Sequence, residues 1–130
     1  MPFLLAAAAG AIFSCTPVSV WDGDGPVKCE EGPRIRLEGI AAREMDGTCR
    51  RGHPCPRASA EAARDALVNL LGGSRGTMRT GHIQVRYPTM QCRSAGTSYD
   101  RVVASCRLTD GRDLSAAMIR TGTVLEWHPR

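Results

Sequence analysis

The sequence predicts a single α+β domain, mainly β, built from five strands and two helices. Three observations carry that expectation. Short stretches in which aliphatic and polar residues alternate recur along the chain, two longer stretches repeat apolar residues at helical spacing, and Gly and Pro punctuate the joins. At 130 residues the chain is long enough for one compact core and too short for two independently stable ones.

Val18 and Val20 alternate with Ser19 and lead to Trp21, the pattern of a half-buried strand. Asp22 to Pro26 turns the chain, Val27 to Cys29 returns it, Glu30 to Pro33 turns it again, and Arg34 to Leu37 is a third strand. Ile35 and Leu37 share one face of that strand; Arg34, Arg36 and Glu38 share the other, so the Arg36 guanidinium points away from the core. Ala41 to Pro56 has no period, and Gly47, Gly52, Pro54 and Pro56 mark it as an irregular loop. From Ala58 to Leu71, Ala60, Ala63, Leu67, Leu70 and Leu71 form the apolar stripe of an amphipathic helix that Gly72-Gly73 ends. Ile83, Val85 and Tyr87 give a fourth strand, Pro88 to Arg101 a polar connection, and Val102 to Leu108 a fifth strand. Asp113 is placed to cap a second helix, Leu114 to Arg120, with Gly122 as its stop.

The net charge is +4, and Lys28 is the sole lysine, so the positive charge is almost entirely guanidinium. An arginine-rich surface suits an anionic partner and an ordinary soluble protein equally, and charge alone chooses neither. Six cysteines in a small chain fit a disulfide framework and an oxidising compartment, periplasmic or secreted. Local bridges Cys15 to Cys29, Cys49 to Cys55 and Cys92 to Cys106 are geometrically feasible among the many pairings that six cysteines allow. His53 between Cys49 and Cys55 raises zinc as a rival, but no second cluster of soft ligands supplies a fourth position. The apolar run Phe3 to Phe13 is too short to span a bilayer. It resembles the apolar region of a secretory signal peptide, which gives a leader over residues 1–14 and a domain over 15–130; the alternative is an N-terminal apolar strand.

The chemistry concentrates in Trp21-Asp22-Gly23-Asp24-Gly25 and in the run from Arg34 to Glu44. Carboxylates can hold a hard cation and arginines can hold a phosphate, so together they describe a site for cleaving a phosphodiester.

Asp22-Gly23-Asp24, Arg36-Leu37 before Gly39-Ile40 and Glu44, Ala58-Ser59-Ala60, Tyr99-Asp100-Arg101, and Asp110-Gly111 before Met118 to Gly122 occur in an order and spacing that resembles the staphylococcal nuclease (thermonuclease) family. The resemblance covers Val18 to Val124. It implies a five-stranded OB-fold barrel with two helices, and calcium-assisted cleavage of DNA or RNA at single-stranded or open regions. It implies a catalytic trio of Arg36, Glu44 and Arg101, with Glu44 as general base and the arginines stabilising the phosphoryl transition state. Asp24 would hold calcium. An exported monomer that does not stay on the membrane after processing completes the expectation. The chain departs from the family at Ala41, where a second calcium-binding aspartate is usual, at Arg43, where proline is usual, and at Gly25, where threonine is usual. A methyl group cannot ligate a cation, so calcium binding is expected to be weakened and another divalent metal enters as an alternative. Glu38 and Asp46 are the nearby acids that could compensate. The rival function is a catalytically degenerate OB-fold that binds nucleic acid or another anion without cutting it.

Overall fold

The computed structural model describes residues 7–128, which form a mixed α+β architecture dominated by strands. In chain order the elements are β1 (Ile12–Cys15), β2 (Pro17–Asp22), β3 (Gly25–Cys29), β4 (Arg34–Leu37), β5 (Ile40–Ala41), α1 (Ala60–Leu70), β6 (Gly76–Thr77), β7 (Ile83–Gln84), β8 (Met90–Ser98), β9 (Arg101–Arg107), α2 (Leu114–Arg120) and β10 (Leu125–Glu126). Eight strands form one sheet in the order β1-β8-β9-β4-β3-β2-β7-β6, and β5 pairs with β10 in a second, two-stranded one. The large sheet is antiparallel except where β4 runs parallel to β9, with Ile35 opposite Val102 and Arg36 opposite Val103. Its ladder order has two ends, β1 and β6, so it is an open sheet where a closed five-stranded barrel was expected.

The core follows the alternation of the strands. Phe13, Val20, Val27, Ile35 and Leu37 point inward from the sheet and meet Ala63, Leu67 and Leu71 of the first helical region and Leu114 and Met118 of α2. Ser59 caps α1 by accepting from the Ala62 N–H at 3.0 Å, and Asp113 caps α2 by accepting from the Ala116 N–H at 2.9 Å. Both helices therefore start where a side-chain oxygen satisfies an otherwise orphaned amide.

Two sequence expectations change. The fourth strand shrinks to Ile83–Gln84, with the Val85 N–H donating to Val18 O at 3.1 Å just beyond it. The supposed connection after Pro88 contains β8, at nine residues the longest strand described. Met90, Cys92 and Ser94 face inward there and Gln91, Arg93 and Ala95 outward, a regular period of two hidden by residue types that rank low in strand propensity. Residues 12–14, which fall inside the expected leader, lie in β1, where Phe13 is buried and pairs with Cys92 of β8. Residues 1–6 of that expected leader lie outside the described residues.

The three disulfides are Cys15–Cys29, Cys49–Cys55 and Cys92–Cys106. The last joins residues directly opposite each other in the β8–β9 hairpin. Cys49 and Cys55 are committed to each other, which removes both thiolates from any zinc site. Cys15–Cys29 closes a span of 14 residues across the β2–β3 hairpin. We expect the Cys15→Ala/Cys29→Ala variant to lose about 3 kcal/mol of stability through the freed unfolded chain, read as a lower denaturant midpoint. No helix among the described residues is long and apolar enough to cross a membrane.

Candidate functional site

The β2–β3 hairpin turns through Gly23 and Asp24, with Asp22 opposite Gly25. The turn is pressed against α1: a Cβ on Gly23 would stand 2.4 Å from the Ala63 Cβ, so only glycine allows that approach. Behind it the Leu37 N–H donates to Asp24 O at 2.8 Å, which ties the turn to the end of β4. A hairpin turn, the end of one strand and a helix face thus fix the two aspartates, and both are buried.

Arg36 leaves β4 on the face away from the apolar core, as its alternation requires, yet it is only 5% exposed. Its Nη1 donates to Leu37 O at 2.6 Å, and its Nη2 to Ile40 O at 3.0 Å and to Asp24 Oδ2 at 3.3 Å. The segment that turns back through Ile40 to Ala42 covers it, with the Ala42 N–H also donating to Asp24 Oδ2 at 3.3 Å. Three guanidinium donors are occupied by protein, and the remaining two of the five have no hydrogen-bond partner among the described residues. Arg36 also sits 5.6 Å from the centre of the Trp127 ring.

The charge of Asp24 acts on the buried carboxyl of Asp22. The Asp22 carboxyl is pushed up to about 9, first by burial, then by the charge of Asp24 and its hydrogen bond, with Glu44 adding to the push. Glu44, half-buried at the start of the loop after β5, is also raised by burial and by Asp24, while Arg50 and Arg101 pull it down. Glu44, Asp24, Arg50 and Arg101 therefore act on one another electrostatically. That a carboxyl sits above its usual range suits a base that must gain and release a proton near neutrality.

The same shifts make stability depend on pH. The folded chain holds a proton on Asp22 that the unfolded chain releases near pH ~4, so the associated stability is complete below that pH and is lost as pH rises through about 9. In chelator, thermal midpoints should fall across that window in the wild type. They should stay flatter in Asp22→Asn, which cannot ionise; equal slopes would show that Asp22 titrates normally.

Arg101 opens β9 on its outward face and donates through Nε to Ser98 O at 3.5 Å. It reaches the site because β9 lies parallel beside β4. Tyr99, in the turn before it, is 81% exposed at a φ of 57° and carries the Arg50 and Arg101 guanidiniums 5.1 and 6.0 Å from its ring centre. Asp100 pairs with Arg34 across the strands.

A cleft of about 590 Å³ opens beside these residues, lined by Arg36, Glu38, Arg50, His53, Val103 and Trp127 among others. Glu44 and Arg101 do not line it; Glu44 is within electrostatic reach of Arg50, which does. Of Arg50, His53 and Trp127, only His53 was singled out in the sequence, and then as a possible zinc ligand. The first two enter on the loop stapled by Cys49–Cys55, and His53 stacks on Trp127 with ring centres 3.8 Å apart and planes 21° apart. The imidazole is shifted down by burial, then by Arg36 and Arg50. The cysteine spacing signalled the loop, but nothing in it signalled a distant tryptophan as its seat.

The acids fit a calcium cage poorly. Among the described residues no three of the His, Cys, Asp and Glu side chains are grouped so as to hold a metal ion. Asp24 spends one oxygen on Arg36 and Ala42, and Ala41, 1% exposed, carries no ligating group. Glu38 lies at the cleft, and Asp46 is exposed with Oδ1 accepting from both the Thr48 N–H and hydroxyl at 2.9 and 2.6 Å. Calcium wants six to eight oxygens, roughly, and this set does not supply them.

Comparison with family models, curated proteins and solved structures found no match to the chain.

Proposed function

We propose that the chain is an exported nuclease that hydrolyses phosphodiester bonds of DNA or RNA at single-stranded or open regions, on an OB-type barrel. The observation that carries the reading is that Arg36 lines the cleft with its guanidinium paired to Asp24, while Asp24 and Arg101 both act on the carboxyl of Glu44. The barrel is supported by the junction of β1 and β2. Only Thr16 separates them, so the run β1-β8-β9-β4-β3-β2 begins and ends on one continuous stretch of backbone. Three disulfides suit a periplasmic or secreted location.

In this reading the free donors of Arg36, with Arg101, bind the phosphate and hold the charge that grows on its oxygens. Glu44 accepts the proton of the attacking water. Arg36 is positioned by Asp24 and two carbonyls before substrate arrives, so little reorganisation accompanies the reaction.

Binding without cleavage is the second reading, favoured by Ala41 and by the absence, among the described residues, of three acids grouped so as to hold a metal ion. Incubating the protein with single-stranded DNA and RNA in calcium, in other divalent ions and in chelator decides between them. Product in any of these conditions supports the nuclease, and retention of intact strands in all of them supports the binder. Ala41→Asp adds a readout independent of turnover. A third carboxylate beside Asp24 should lower the melting temperature in chelator, and calcium should restore it by several degrees. No calcium effect would mean that position 41 does not face the acids.

A further inference from the structure

The outward face of β8 and β9 continues the cleft rather than ending it. Ala95, Thr97 and Val103 line the cleft. The next outward positions on the same two strands, Arg93 opposite Ser105 and Gln91 opposite Arg107, line a shallow second depression of about 200 Å³. Arg93 and Arg107 are exposed, and neither has a carboxylate at ion-pair distance among the described residues. Arg107 donates one bond to Gly111 O at 3.0 Å, which steadies the side chain and leaves its other donors unused. Asp113, bridged to Arg107 through the backbone, is the single acid lining that depression, against two arginines.

We propose that a single strand of nucleic acid runs from the cleft along the outer face of β8 and β9, held at its far end by phosphate contacts to Arg93 and Arg107. The inference rests on the nuclease or nucleic-acid-binding reading of the cleft. Val103 to Arg107 spans about 14 Å at the rise of a strand. That is the length of about four nucleotides at a stacked spacing of ~3.4 Å. The side chains between, Ser105, Ala95 and Thr97, are small and leave the path unobstructed; the contacts of Arg93 and Arg107 are to the phosphate backbone, which carries no sequence information.

The test is fluorescence-anisotropy binding in a Glu44→Gln background, which keeps strands whole, with and without calcium. The probes are a dinucleotide and an oligodeoxynucleotide of about twelve nucleotides. Affinity should rise from the short to the long probe. For the long probe, the slope of log affinity against log salt should shrink by about 1.4 in Arg93→Ala/Arg107→Ala, two single-strand phosphate contacts being lost. Arg93→Lys/Arg107→Lys should recover most of the slope, since it keeps the charge and would not repair a folding defect. Equal slopes in the parent and the alanine variant, or affinity that does not grow with length, would overturn the track while leaving the cleft as the binding site. Failure of both probes to bind would overturn the reading of the cleft and the track with it.

Discussion

Replacing Arg36 with methionine should destabilise the protein by about 4 kcal/mol and abolish strand cleavage. The buried guanidinium satisfies Asp24 Oδ2 and the carbonyls of Leu37 and Ile40. Methionine fills much of the same volume but leaves a buried carboxylate facing Asp22 without its cation, the situation in which breaking a buried pair costs most. Equilibrium denaturation measures the loss. Adding Asp24→Asn to Arg36→Met removes the stranded charge and should return a large part of the stability without any activity, because the phosphate ligand is still missing. Additive losses would mean that the two residues are not coupled and that the ion pair is unimportant to the fold.

Glu44→Gln should lower the cleavage rate about a thousandfold while leaving oligonucleotide affinity within a small factor. Glutamine keeps the size and the hydrogen-bonding oxygen but cannot accept a proton from water. The Glu44 carboxyl is held above its ordinary range by burial and by Asp24. The activity of the wild type should therefore rise with pH as that carboxyl ionises, with the rise at higher pH than for a free glutamate. The variant's residual activity should lack that limb. Wild-type turnover by Glu44→Gln would remove the base from the mechanism, and a parallel fall in affinity would mean that Glu44 orders the loop rather than the water.

Arg50 and His53, which interact electrostatically with Glu44 and Arg36 respectively, share one loop. That loop is anchored by the Cys49–Cys55 bridge and by the stack of His53 on Trp127. It closes one wall of the cleft from outside the β4–β9 pair, so the site has a wall that the strands do not supply.

The sequence by itself determined the pieces whose signals are local. Both helices, the cap at Asp113, and the β2, β3 and β4 segments follow from periodicity and turn chemistry within a few residues, while Ser59, read inside a helix from Ala58, is instead the cap of that helix. The three disulfides also paired as their local spacing allowed. The tertiary structure alone decided the rest, because those facts depend on what lies opposite in space. Alternation sent Arg36 away from the apolar core, but only the return of Ile40 to Ala42 and the turn at Asp24 buried it. A run of Ser, Ala, Gly and Thr became part of the longest strand because β9 pairs along it, while β1 pairs with the preceding Met90 to Arg93. The raised carboxyls of Asp22 and Glu44 could not be read from either residue, since desolvation and Coulomb interaction depend on distances that folding sets.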